Sequence, residues 1–112
     1  SGMKLYAAGF DFFGDLQIGA ADVVKETAYR WYVDNIVCPV LFGYPRLYVE
    51  HTTKLAVGLS KEESLHRLLA IEAELMDKHE RLLERHRVRH IKVREELLAI
   101  WQGSEGHEAN ED

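Results

Sequence analysis

A single cysteine, Cys38, occurs in the 112 residues, so an intramolecular disulfide is excluded and a reducing compartment, the cytoplasm, is expected. There is no apolar run approaching 18 residues and no leader-like segment, so neither a membrane-spanning helix nor a membrane partner is expected. Also missing are a phosphate-cradling glycine loop, a Gly-x-Ser-x-Gly elbow and any internal repeat. The metalloprotease pattern fails as well, since Glu80-Arg81-Leu82-Leu83 follows His79. Cys38 stands beside Pro39 with no base nearby in sequence and reads as a small apolar residue. These absences leave nucleophilic catalysis without support, and the expected protein is non-enzymatic and needs no cofactor.

Proline is nearly as scarce. Its two copies, Pro39 and Pro45, both fall in one short stretch, and no glycine or proline occurs between Gly58 and Gly103. Aromatics are confined in a complementary way, with ten of the eleven before residue 49 and Trp101 alone beyond it. A globular core is therefore expected in the N-terminal half. Ser1-Gly2 ahead of Met3 resembles the scar of a removed tag, so a single domain is expected over 3–102, followed by a disordered acidic tail, 103–112.

What is present reads as α+β, in the order ββαββα: a small antiparallel sheet, one packed helix, and a long C-terminal amphipathic helix used for oligomerisation. Lys4 to Phe10 and Leu16-Gln17-Ile18 flank a turn at Gly14-Asp15 and predict a first hairpin, with Asp11 and Asp15 as turn formers. Between Ala20 and about Val37, Val24, Ala28, Trp31 and Ile36 recur at spacings near three and four, which predicts a helix ending before Pro39. Val40 to Pro45 is expected to form an apolar loop on the core. Leu47 to His51 and Lys54 to Val57 predict a second hairpin. Ser60 as N-cap, with Glu63 three residues on, then opens a helix over about 60–102.

That last helix dominates the expectations. About 42 helical residues at 1.5 Å rise extend roughly 60 Å, whereas a folded chain of this length spans roughly 34 Å. An apolar stripe nevertheless continues to the end, and Leu69, Met76, Leu83, Val93 and Leu97 are its expected oligomer contacts. Residues 61–80 carry three basic and six acidic side chains, and residues 81–100 carry six and three, so antiparallel pairing would match Glu72, Glu74 and Asp77 of one copy with Arg85, Arg87 and Arg89 of another. A break near Val88–Val93 is the competing solution, because β-branched residues are weak helix formers.

The sequence supports only ranked functional expectations. The first is a small homo-oligomeric binding protein that holds an anionic, nucleotide-like ligand near the subunit seam. Arg85, Arg87, Arg89, Arg30 and Arg46 would grip phosphate, and Trp31 or Tyr44 would stack on the ring. The alternative is an adaptor or inhibitor that binds another protein through the long helix and the apolar loop. A further alternative is a metal-dependent enzyme using His79, His86 and His90, opposed by the surrounding arginines; in a helix seam these histidines would instead weaken assembly in acid. Nucleic acid is disfavoured by the acidic net charge of −5 and the absence of a known binding motif.

Overall fold

The computed structural model describes residues 2–111, with side chains described for 2–103. Five strands and one long helix follow in order: β1 (Lys4–Phe10), β2 (Leu16–Glu26), β3 (Arg30–Asp34), a 3₁₀ turn (Pro39–Phe42), β4 (Tyr48–Glu50), β5 (Val57–Gly58) and α1 (Lys61–Glu111). The sheet is antiparallel throughout, in the order β4-β3-β2-β1-β5. The fold is thus α+β, with a small sheet and one long C-terminal helix.

The first hairpin forms as its turn chemistry dictates. The Phe13 and Asp15 amides both donate to Asp11 Oδ1 at 2.9 Å, and Gly14 takes the positive φ of 83° that the turn needs. Strand β2 then runs on to Glu26, and β3 begins at Arg30, so the helix expected between Ala20 and Val37 is absent. The three-to-four spacing there is coincidental: Val24 is 63% exposed, while Ala21, Val23, Trp31 and Val33 are buried at the two-residue period of strands. A bulge between Val23 and Lys25 interrupts that period, which disguises it in the sequence.

The second hairpin is also absent. β4 pairs with β3 at one edge and β5 with β1 at the other, so the two short strands never meet. Of the expected apolar loop, Pro39–Phe42 forms the 3₁₀ turn, and it does pack on the core, with Phe42 2% exposed. Close approach to β2 requires Gly19: a Cβ there would stand 2.5 Å from the Val37 carbonyl oxygen and 3.1 Å from the Phe42 ring.

The sheet is covered on two faces. Leu5, Ala7, Ala21, Val23, Trp31, Val33, Phe42, Val49 and Val57 form one apolar cluster, against which Ile36 and Leu41 pack. Ala8, pointing the other way on β1, joins Ala56 and Leu68 in a second cluster flanked by Leu65 and Ile71 from the opening turns of α1.

The start of α1 follows the capping box. The Glu63 amide donates to Ser60 Oγ at 3.0 Å, and the Leu59 amide donates to Glu63 Oε2 at 3.1 Å. The helix continues without a break through Val88, Ile91 and Val93. Two units make up the chain, residues 1–74 and 75–112. The first holds the sheet and the opening turns of α1; the second is helix alone. The tail expected at 103–112 lies, apart from Gly103, outside the residues with described side chains.

Candidate functional site

In the first unit the sheet edge formed by β3 and β4 gathers the polar and aromatic side chains. Arg30 and Tyr32 point to the same face of β3, and their register partners on β4 are Glu50 and Tyr48. The Arg30 guanidinium sits 4.1 Å from the Tyr48 ring centroid, and the Tyr32 and Tyr48 rings lie 6.0 Å apart. Hydrogen bonding to Tyr32 holds Arg30 more firmly in its charged form, a little burial opposes this, and Tyr48 and Glu50 add to it. Beside this ladder, Thr27, Ala28, Tyr29, His51 and Thr52 complete an open pocket of about 470 Å³.

Of the arginines expected to grip phosphate, Arg30 therefore lines a pocket, but its guanidinium already lies over the Tyr48 ring and is held in its charged form chiefly by Tyr32. Arg46 lines a separate hollow of about 60 Å³ with Phe42, Gly43 and Tyr48. Trp31 lies in the core, 9% exposed, with its ring 4.2 Å from that of His51, so no face is open to a planar ligand. Tyr44 is 69% exposed and lines neither of these cavities.

Sequence reasoning missed His51 altogether. Its Nε2 lies 3.4 Å from Glu26 Oε1, an ion-pair distance, but without the alignment of a hydrogen bond. The only sequence signal was its position at the end of a β-favouring run, and its neighbours Trp31 and Glu26 come from other strands. Also missed were Phe12 and Phe13 at the tip of the β1–β2 hairpin, 99% and 84% exposed, with their rings edge to face at 5.9 Å.

A second concavity in this unit is almost wholly apolar. Phe10 and Leu16, register partners on β1 and β2, form a groove of about 720 Å³ with Leu65, Leu68 and Leu69 of α1, with Glu62, His66 and Glu72 at its margins. Phe10 is 50%, Leu16 49% and Leu69 68% exposed.

In the second unit every described side chain is exposed, including the expected contacts Met76, Leu83, Val93 and Leu97. At 100° per residue, Leu75, His79, Leu82, His86, Arg89 and Val93 fall at alternating steps of four and three along one strip of this unit's helix, the spacing of a coiled-coil seam. Met76, Leu83 and Leu97 flank it on one side. His79 and His86 thus occupy seam positions and His90 a flank. Among the described residues no three His, Cys, Asp or Glu side chains gather in a way that could hold a metal.

Arg85 lines a shallow groove with Leu75, Lys78, His79, Arg81 and Leu82. Within the helix, Arg81 pairs with Asp77 at 3.3 Å and Arg87 with Glu84 at 3.8 Å, while Glu62 and Glu63 pair with His66 and Arg67. Among the described residues, Glu72, Glu74, Glu80, Arg85 and Arg89 have no opposite charge at ion-pair distance. No described helix is long and apolar enough to cross a membrane. Comparison with known protein families, with characterised proteins and with solved structures returns no match, so the chain's own geometry carries the functional reading.

Proposed function

We propose that this protein is a small, non-enzymatic, homo-oligomeric binding protein, whose copies pair antiparallel along α1 and hold an anionic ligand at arginines beside the seam. The observation that carries this reading is the combination, on the exposed helix of the second unit, of a coiled-coil strip with separated charges, several of which have no partner among the described residues. Leu75, Met76, Leu82 and Leu83 are 40–63% exposed, and leaving that surface in water forfeits roughly 0.6–2 kcal/mol for each side chain that a second helix would cover. Residues 61–80 carry six acidic and three basic side chains and residues 81–100 three and six, so reversal of the second helix opposes the two halves.

The ligand would be phosphate-bearing, since Arg85, Arg87 and Arg89 offer guanidinium forks within one helical turn and a half. Sedimentation velocity at graded concentrations tests the assembly, and a species that stays monomeric at 100-fold dilution steps up to the highest attainable concentration removes this reading. Isothermal calorimetry with inorganic phosphate and a nucleotide panel tests the ligand, and its absence would leave self-association standing alone.

A second reading, an adaptor that engages another protein, draws on the hairpin tip. Phe12 and Phe13 expose nearly all of their aromatic surface, an arrangement more typical of a recognition surface than of a solvated turn. Replacing both with Ser leaves self-association intact if the tip serves a different protein, and sedimentation reads that directly.

A further inference from the structure

We infer that the apolar groove between the β1–β2 hairpin and the opening turns of α1 receives an amphipathic helix of another protein, with apolar side chains inward and lysine or arginine at both ends. Every residue that lines the groove lies in the first unit, so this inference goes beyond the self-pairing proposed above and does not rest on it.

The groove exists because the helix covers only part of the sheet. At Ala8, Ala56 and Leu68 the cover is complete, and Leu68 is 9% exposed. Two residues farther along β1 it ends: Phe10 and its register partner Leu16 are half-exposed, and Leu69, next to Leu68 on the helix, is 68% exposed. The floor of this groove of about 720 Å³ is thus phenylalanine and leucine. Such side chains accept and donate no hydrogen bonds, so an extended segment laid there would strand its backbone N–H and C=O groups. A helix bonds its own backbone and offers only side chains, at i, i+4 and i+7, to the floor.

The margins set the charge of the occupant. Glu62 and Glu72 mark the two ends of the α1 side, a separation of roughly 15 Å along a helix, or about three turns. Glu72 is half-buried with no opposite charge at ion-pair distance among the described residues, and Glu62 has only His66, at 3.6 Å. Phe10 also lines an adjoining hollow of about 600 Å³ with Phe12 and Val40, where the one charged group is Asp11. No lysine or arginine lines either cavity. A three-turn helix with a cation at each end therefore meets a carboxylate at each end as its apolar face is covered. A fatty acid would instead bring its own carboxylate to this acidic margin, and a polar metabolite would find no anchor on the floor.

Three labelled peptides test the fit by fluorescence anisotropy against the full chain. Each is three helical turns long with leucine at i, i+4 and i+7, and carries lysine, serine or glutamate at both ends. The lysine peptide is expected to bind at least about tenfold more tightly than the glutamate peptide, with the serine peptide between them. Leu16→Glu and Leu69→Glu, both outside the buried clusters, are each expected to weaken the lysine peptide at least about tenfold with the sheet's thermal transition retained. Each variant adds a negative charge, so a merely electrostatic attachment would tighten, and that result overturns the inference. Glu72→Gln is expected to narrow the gap between the lysine and glutamate peptides. No binding of the lysine peptide, equal binding of all three, or binding of decanoate in its place overturns the inference. So does a Leu16→Glu variant that weakens self-association in sedimentation while leaving peptide binding unchanged, which would assign the groove to a second copy.

Discussion

The two units solve the same problem of apolar surface in opposite ways. In residues 1–74, Leu5, Ala7 and Val57 are wholly buried by their own chain, because strands and the 3₁₀ turn supply cover from several directions. In residues 75–112, α1 satisfies its backbone hydrogen bonds within itself, yet a single helix has nothing to lay over Leu75 or Leu82, which remain 40% and 44% exposed. Backbone satisfaction and apolar burial are separate requirements. A helix meets the first alone, and the second only with another surface.

The sharpest way to break this contrast is to remove the stripe. Leu75→Asp with Leu82→Asp is expected to weaken self-association by about 1,000-fold, because four half-exposed leucines per dimer are lost at roughly 1 kcal/mol each; sedimentation equilibrium measures it. The sheet unit should keep its thermal transition, since neither residue belongs to its clusters.

The reverse experiment strikes the sheet. Gly19→Ala places a methyl group 2.5 Å from a backbone oxygen, and the 3₁₀ segment must shift to admit it. A loss of about 1–3 kcal/mol in urea unfolding is expected, with self-association in sedimentation unchanged. Smaller is the effect at the junction of sheet and helix. Ser60→Ala removes the hydroxyl that accepts from the Glu63 amide and is expected to cost about 1 kcal/mol, read as a lower urea midpoint at constant slope. Smallest of all, Asp77→Asn breaks the 3.3 Å pair with Arg81 on an exposed helix surface; about 0.3–0.5 kcal/mol is at stake, so the midpoint should barely move.

How far the sequence could be read follows the same division. The opening of α1 was legible because capping is local: Ser60 and Glu63 act on amides within one turn of themselves. The hairpin at Asp11–Asp15 was legible for the same reason. The end of β2 and β3 were not legible as strands, because the β2 bulge at Val23/Lys25 breaks the two-residue period and leaves the apolar residues of the two strands at a helix-like spacing. Nor could β4 and β5 be assigned, since proximity in sequence suggested a hairpin and only the packed sheet sends them to opposite edges. Among the candidate site residues, the run from Arg85 to Arg89 was visible as charge at four-residue steps, whereas the His51–Trp31 contact and the Phe10–Leu16 groove join residues far apart in the chain.

By itself, the sequence determined where α1 begins and that it continues unbroken through Val88 and Val93, since capping, the absence of breakers and helical periodicity all act within a few residues. Only the tertiary structure decided which apolar residues find cover, because burial depends on what the rest of the chain brings to the same place. Trp31 and Val24 are both apolar members of the segment misread as a helix, yet one is enclosed and the other left in water. Val24 is the extra residue of the β2 bulge, whereas Trp31 holds an inward position on β3, so their difference is a property of the sheet rather than of the residue.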